Sequence, residues 1–455
     1  MIDNLIVLVY LLLVLGIGVY YRSHSGSFKS FANVKDSARK NKLLLIATIF
    51  ASSVGGGTTF GIAEKAFSGD ISYTYGLLFT IPIDLLIAIY VVPRIAEHYG
   101  AESVGDIMVK YYGLTGRIIS GIASITISIG FLAAQISVSG RIFEYILQVD
   151  YLKSVILSYI IVIIYTTIGG LRSVMFTNLL QFFAMIVAIP IITIIGLNII
   201  GLESFINNIP NEKVSLTDDN LIANTIAATL GFATMNLYPN FIQRALINND
   251  FRATTTAIYI KTAIYSVYLI CVTLNGLIAF NLYPEQPSNL ALPYLIDQII
   301  PIGLLGFVVV GLLAAVMSTA DSDLNVSSVT LVKDIFDPIL NIKNQHKLLL
   351  LARIINVIIG SFAIIFALKF NNVVDLIVYM AGFWGPLVVV PLIFALFNVI
   401  IPKKAMVFSS ISGCVAFLLW EEIGMNYFNL KAVFVGTVVS LIFFIGGLLL
   451  KNKTI

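Results

Sequence analysis

The sequence predicts an all-α integral membrane protein of about thirteen transmembrane helices, and three observations carry that prediction. Hydrophobic residues make up 58% of the 455 and charged residues only 11%, against about 25% charged in a soluble domain. Apolar runs of spanning length, about 20 residues, recur from one end of the chain to the other. Several of these runs contain Gly, Ser, Thr, Asn or Pro. Such interruptions are tolerated in a span only where they face protein or a water-filled cavity.

The first run, 4–21, has Asp3 in place of a basic leader and no small-x-small cleavage site after it, so it reads as a spanning helix and not a signal peptide. Twelve more candidates follow: 43–67, 72–95, 118–148, 152–169, 175–200, 221–243, 255–283, 300–331, 348–369, 373–399, 404–421 and 430–450. Residues 1–41 are expected to form an extra N-terminal helix and a cytoplasmic loop. With that helix set aside, the interrupted runs 43–67 and 221–243 open two successive groups of five. This spacing permits two five-helix repeats of opposite topology, 42–200 and 201–400, followed by C-terminal helices in 401–455. Interrupted helices at matching places in two halves point to a transporter binding site.

Loop charges give the orientation. With the N-terminus outside and the C-terminus cytoplasmic, only Lys65, Arg141, Lys153, Lys213, Lys369 and Lys431 of the 27 Lys and Arg fall outside. The others, Arg244 and Lys261 among them, fall on the inner side, as the positive-inside rule requires. Loop 201–220 sets Glu203, Glu212, Asp218 and Asp219 against one Lys and suits the outer face. The expected location is the plasma (bacterial inner) membrane. A net charge of +3 with scattered basic residues excludes a large nucleic-acid partner. Cys271 and Cys414 lie in apolar runs and read as packing residues. His24, His98 and His346 are far apart in polar loops, so no metal site is expected. With no soluble domain and no nucleophile–base pair in view, the chain does not read as an enzyme. Paired helices around one cavity need no partner, which makes a monomer the expectation.

Three stretches concentrate the unusual residues. In "FASSVGGGTTFGI", 50–62, three consecutive glycines cost a helix about 1 kcal/mol each against Ala. They signal either close helix packing or a discontinuous helix whose carbonyls face a site. In "LGFATMNLYPNFIQR", 230–244, Gly231, Asn236 and Pro239 break a second apolar run. A third stretch, "GLLAAVMSTADSDLNVSSVTLVKDI", 311–335, fills a hydrophobic helix with hydroxyls and carboxylates. On a helix, Ala315, Ser318, Asp321, Ser322 and Asn325 share one stripe about 120° wide, with Thr319 and Asp323 beside it. A carboxylate at the bilayer centre costs at least roughly 2.5 kcal/mol, so it must face a cavity, a partner or an ion. Oxygen donors without His or Cys suit a hard cation. Carbonyls of Ala51, Val54 and Ala315 with the hydroxyls of Ser318 and Thr319 make a five-oxygen cage for Na⁺.

"AAVMSTADSDLNVSS", "SSVGGGTTFGIAEKAF", "IGGLRSVMFTNLLQ" and "YPNFIQR" resemble motifs of the sodium/solute symporter family, which has the leucine-transporter-like fold with one extra N-terminal helix. The resemblance runs from about residue 30 to 370. The "VGGG…AE" and "AAVMSTADS" pieces are most similar to the choline-transporter branch. The resemblance places the conserved sodium site on Ala51, Val54, Ala315, Ser318 and Thr319, the set reached from oxygen chemistry.

Two departures from the family pattern matter. Members that bind a second sodium ion use an Asp after the "GG" of span five, where this chain has Thr177-Asn178. A second ion site here would draw on Asn178, Asp321 and Ser322. Otherwise Asp321 is a structural hydrogen-bond partner, or the second ion is absent. The tryptophans of a choline cage on the first and sixth core helices are Ser53 and Tyr238 here, which leaves Trp384 as a cage wall. Ser52, Ser53, Gln135, Asn236, Tyr238 and Trp384 are therefore expected to line a more polar pocket. The expected function is sodium-coupled symport of a small polar organic solute, such as an amino acid or carboxylate, by alternating access. The alternatives are proton coupling through Asp321 or Asp323, and symport of a quaternary amine.

Overall fold

The computed structural model describes residues 2–34, 41–146, 148–209, 219–233, 236–248, 250–368, 373–424 and 430–452. Among them the only regular elements are helices. Those that build the bundle are α1 (Ile2–Tyr21), α2 (Lys42–Ser53) and α3 (Gly57–Phe67), α4 (Ser72–Ala96), α5 (Val104–Ile146), α6 (Tyr151–Ile200), α7 (Asp219–Ala233) and α8 (Pro239–Ile247). They continue as α9 (Phe251–Leu282), α10 (Leu305–Leu340), α11 (Gln345–Ala367), α12 (Leu376–Leu396), α13 (Lys403–Glu422) and α14 (Ala432–Leu450).

Ten described helices are long and apolar enough to cross a membrane, or eleven when the bent pair α2–α3 is one span. The expected thirteen are not reached on this measure. Candidates 152–169 and 175–200 run together as α6, bent where Gly170 takes φ 61°. A Cβ there would also lie 2.7 Å from the Phe31 ring, so the corner needs glycine twice over. Candidate 221–243 is divided between α7 and α8. Pro239 does not kink a continuous helix. It starts α8 in its first turn, where the missing N–H has no bond to lose.

α10 is the axis of the molecule. Every residue from Val308 to Thr330 is buried, with α6, α5, α11 and α1 packed around it. A helix with no lipid-facing side can carry polar groups all round, which explains how this chain retains Asp321 and Asp323. Close approach replaces the hydrophobic effect as the source of helix association in lipid. A Cβ on Gly311 of α10 would lie 2.2 Å from that of Ala188 on α6. At the periphery, α13 and α14 pack chiefly on each other and leave Phe408, Ile411, Leu419, Ile442 and Leu449 exposed, as lipid-facing residues should be.

The charge reading needs correction at two positions. Arg244 and Lys261, taken as inner-loop residues, are buried on α8 and α9. Arg244 is entirely inaccessible. Glu212, Lys213, Asp218 and Lys369 lie outside the described residues.

Candidate functional site

The chain between α2 and α3 turns through 63°. Val54 at the break is extended, φ −108° and ψ 116°. The glycines that follow serve close packing as well as bending: a Cβ on Gly55 would lie 2.9 Å from both Gln135 and Thr319. The Gly55 N–H donates to Thr58 Oγ1 (2.8 Å), and the Gly56 N–H donates to Gln135 Oε1 (2.5 Å). Gln135 thus caps the restarted helix.

The break leaves carbonyls without helical partners, and α10 meets them. Ser318 Oγ lies 3.0 Å from Ala51 O and 3.2 Å from Ala315 O. Thr319 Oγ1 lies 2.8 Å from Val54 O and 3.4 Å from Ala51 O. The five oxygens anticipated from the sequence therefore converge, buried, in one cluster. Each hydroxyl donates to a carbonyl and keeps lone pairs of its own. A hydroxyl that rotates its proton away turns the cluster into a neutral cage for a hard cation.

Asn178, Asp321 and Ser322 do not form a common cage. Asp321 Oδ2 accepts from Tyr165 (2.6 Å) and Thr177 (3.2 Å), and its Oδ1 accepts from Ser322 (3.2 Å). Asn178 Nδ2 donates instead to Thr48 Oγ1, at 3.1 Å. Arg244 lies between them, donating through Nη2 to Ser322 Oγ (2.8 Å) and through Nε to Thr48 Oγ1 (3.2 Å). Asp323 accepts from Asn240.

Beside the oxygen cluster is a cavity of about 160 Å³ walled by α2, α3, α4, α5, α7, α8, α9, α10 and α12. Ser52, Ser53, Gln135, Asn236 and Tyr238 line it, as does Thr319. The Ser52 and Ser53 hydroxyls donate back to Ile49 O, and the Tyr238 hydroxyl donates to Ser52 O. Trp384, expected as a cage wall, is not among the lining residues. It is fully buried behind the second break, where its indole N–H donates to Leu237 O at 3.0 Å. Two charged residues not singled out from the sequence also line the cavity. Lys261 Nζ lies 3.2 Å from Asp84 Oδ2, and Asn236 Nδ2 donates to Asp84 Oδ1 at 3.1 Å. The available signal was one acid in candidate 72–95 and one base in candidate 255–283. Ionisable residues inside spans seek each other.

A bundle of apolar helices, broken beside a cavity that adjoins a hard-cation oxygen cluster, defines an ion-coupled secondary transporter. The chain belongs to the sodium:solute symporter family, whose sequence model matches residues 41–413. It is 24% identical to the sodium/pantothenate symporter of Haemophilus influenzae over 79% of this chain and 77% of that protein. It is 21% identical to the sodium/sialic acid symporter of Aliivibrio fischeri over 78% of this chain and 74% of that protein. A solved Na⁺-coupled sialic acid symporter, in a substrate-bound outward-open state, shares the fold with a TM-score of 0.82 at 18% identity. That match covers 100% of this chain and 98% of the other. The protein is thus an integral, multi-pass sodium:solute symporter and not an enzyme.

Proposed function

We propose that this protein couples the entry of Na⁺ to uptake of a small polar organic solute by alternating access. Ala51, Val54, Ala315, Ser318 and Thr319 bind the ion, and the adjoining cavity binds the solute. One observation carries this reading: Thr319 belongs to both sites. Its hydroxyl lies 2.8 Å from Val54 O, and the residue also lines the cavity. An ion at the cage fixes α10 against the α2–α3 break and so fixes one wall of the solute cavity. The Asp84–Lys261 pair and Asn236 favour a solute with both donor and acceptor groups, an amino acid or a related polar metabolite. Asp321 and Asp323 serve the helix packing by accepting hydrogen bonds, and neither lines the cavity. Sodium coupling is therefore the better-supported reading over proton coupling.

The N-terminus is assigned to the outside and the C-terminus to the cytoplasm, with a monomer as the working unit. Residues 42–200 and 201–400 act as the two repeats that rock against each other. One charge moving down about 100 mV gains about 2.3 kcal/mol. A tenfold sodium gradient adds about 1.4 kcal/mol, which together allow roughly 500-fold accumulation per ion.

The test is the melting temperature of purified protein in NaCl against KCl, with Ser318→Ala alongside. A Na⁺-specific rise that the variant loses is expected. Equal melting in both salts would sink the sodium assignment. The same assay, repeated with a panel of amino acids and carboxylates in NaCl, identifies the solute by a further rise.

A further inference from the structure

Away from the solute cavity, α1 has a face that no described residue covers. Val9, Leu12, Leu13, Gly16 and Tyr20 recur at the spacing of one helix stripe, are all exposed, and line an apolar groove of about 550 Å³. Gly16 is its notch: a Cβ there would meet nothing within 4 Å. From Val9 to Tyr20 the stripe runs about 17 Å, close to one leaflet of a hydrocarbon core about 30 Å thick. Tyr21 and Phe176 of α6, stacked with ring centroids 4.7 Å apart, line the groove near the end of α1.

That end adjoins a polar pocket of about 280 Å³ lined by His24, Ser27, Lys29, Ser30, Asn33 and Arg172. The Tyr21 ring joins the two. It lies under the Arg172 guanidinium at 5.5 Å and meets the His24 ring edge-on at 5.6 Å. The corner at Gly170, packed on Phe31, sets Arg172 beside the short helix Phe28–Ala32. Among the described residues, none of the three basic side chains has a carboxylate within ion-pairing distance. Two polar atoms of the pocket are buried without a hydrogen-bond partner. One is a donor, Arg172 Nε, and the other an acceptor, Asn33 Oδ1, on a residue only 7% exposed. Unpaired buried polar atoms are costly. These two fit a ligand that offers both anionic oxygens and a hydroxyl.

We propose that groove and pocket together bind one anionic phospholipid with a hydroxylated headgroup. An acyl chain lies along α1, the phosphate is held by Arg172 and Lys29, and a headgroup hydroxyl donates to Asn33 Oδ1. Charge complementarity selects this occupant. A free phosphate would satisfy the cations and leave the groove bare, and a neutral lipid would fill the groove and leave the cations unpaired. Basic pockets beside spanning helices on the cytoplasmic side recognise anionic headgroups in this way. The site is independent of the sodium and solute assignments; the orientation assigned above decides only which leaflet supplies the lipid.

The test is native mass spectrometry of the purified full-length protein in detergent. It is titrated in turn with phosphatidylglycerol, phosphatidylcholine of the same acyl chains, and glycerol phosphate. One phosphatidylglycerol should bind about tenfold more tightly than phosphatidylcholine, and glycerol phosphate more weakly than either lipid. Equal affinity for the two lipids would overturn the proposal. Glycerol phosphate binding as tightly as phosphatidylglycerol would overturn it in favour of a free-phosphate site. Lys29→Gln with Arg172→Gln should bring phosphatidylglycerol down to the level of phosphatidylcholine, and an undiminished preference would refute the pocket. Should that double variant aggregate, Gly16→Leu decides. It places a side chain in open space, so folding is spared, and it should weaken phosphatidylglycerol binding about tenfold, the loss of about two buried methylenes. Unweakened binding in that variant would refute the groove.

Discussion

The two breaks in the bundle expose carbonyls in the same way and dispose of them differently. At the α2–α3 break, Ala51 O and Val54 O are met by the hydroxyls of Ser318 and Thr319. At the break before α8, Leu237 O is met by the indole N–H of Trp384. A hydroxyl is both donor and acceptor, so it can turn and join the carbonyl in holding a cation. An indole N–H is a donor alone and can only keep the carbonyl closed. On the proposed reading the first break is thus a switchable site and the second a fixed joint. The Tyr238 hydroxyl, donating to Ser52 O, ties the one to the other.

Substitution at the first break should have the largest effect. Thr319→Val keeps the shape and removes the hydroxyl shared by cage and cavity. The sodium concentration for half-maximal uptake should rise about 100-fold, equivalent to about 2.8 kcal/mol. An unchanged sodium dependence would remove Thr319 from the ion site. The wall that faces both breaks comes next. Lys261→Met leaves Asp84 unpaired in a largely buried place, which typically costs about 3–5 kcal/mol. Melting temperature and uptake should both fall. Adding Asp84→Asn should restore most of the melting temperature and little of the uptake. Restored uptake in the double variant would make the pair a packing device and not a solute contact. The fixed joint should respond least in function. Trp384→Phe strands the Leu237 carbonyl at a cost of about 1–3 kcal/mol. Melting should fall while sodium affinity holds. A tenfold loss of sodium affinity in that variant would erase the distinction between the two breaks.

Much of the bundle was legible because lipid allows few exceptions. Apolar runs of spanning length became helices, and the glycine triplet became a break. It also became a close contact, so both of its readings hold at Gly55. The convergence of these oxygens was legible because Ser318 and Thr319 are adjacent on a buried helix, and the carbonyls they meet lie at a break that the glycines announce. The cavity was read in part. Ser52, Ser53, Gln135, Asn236 and Tyr238 reach it, whereas Trp384 does not. An aromatic residue in a span is equally suited to lining a cavity or to closing a carbonyl, and composition does not distinguish the two.

The sequence alone determined the class of the molecule. Its scarcity of charge, its run lengths and its polar-interrupted helices point to a many-spanned membrane carrier, because polar groups inside a span must face protein or a cavity. Tertiary structure alone decided the pairings. Arg244 reads as one more basic residue at the end of a span until α8 turns it inward against Thr48 and Ser322. Asp84 and Lys261 are 177 positions apart and meet only when α4 packs beside α9. Hydropathy records where a residue sits along its own helix. Which neighbour neutralises a buried charge depends on the rotation of one helix against another, and that is fixed only by the packing of the whole bundle.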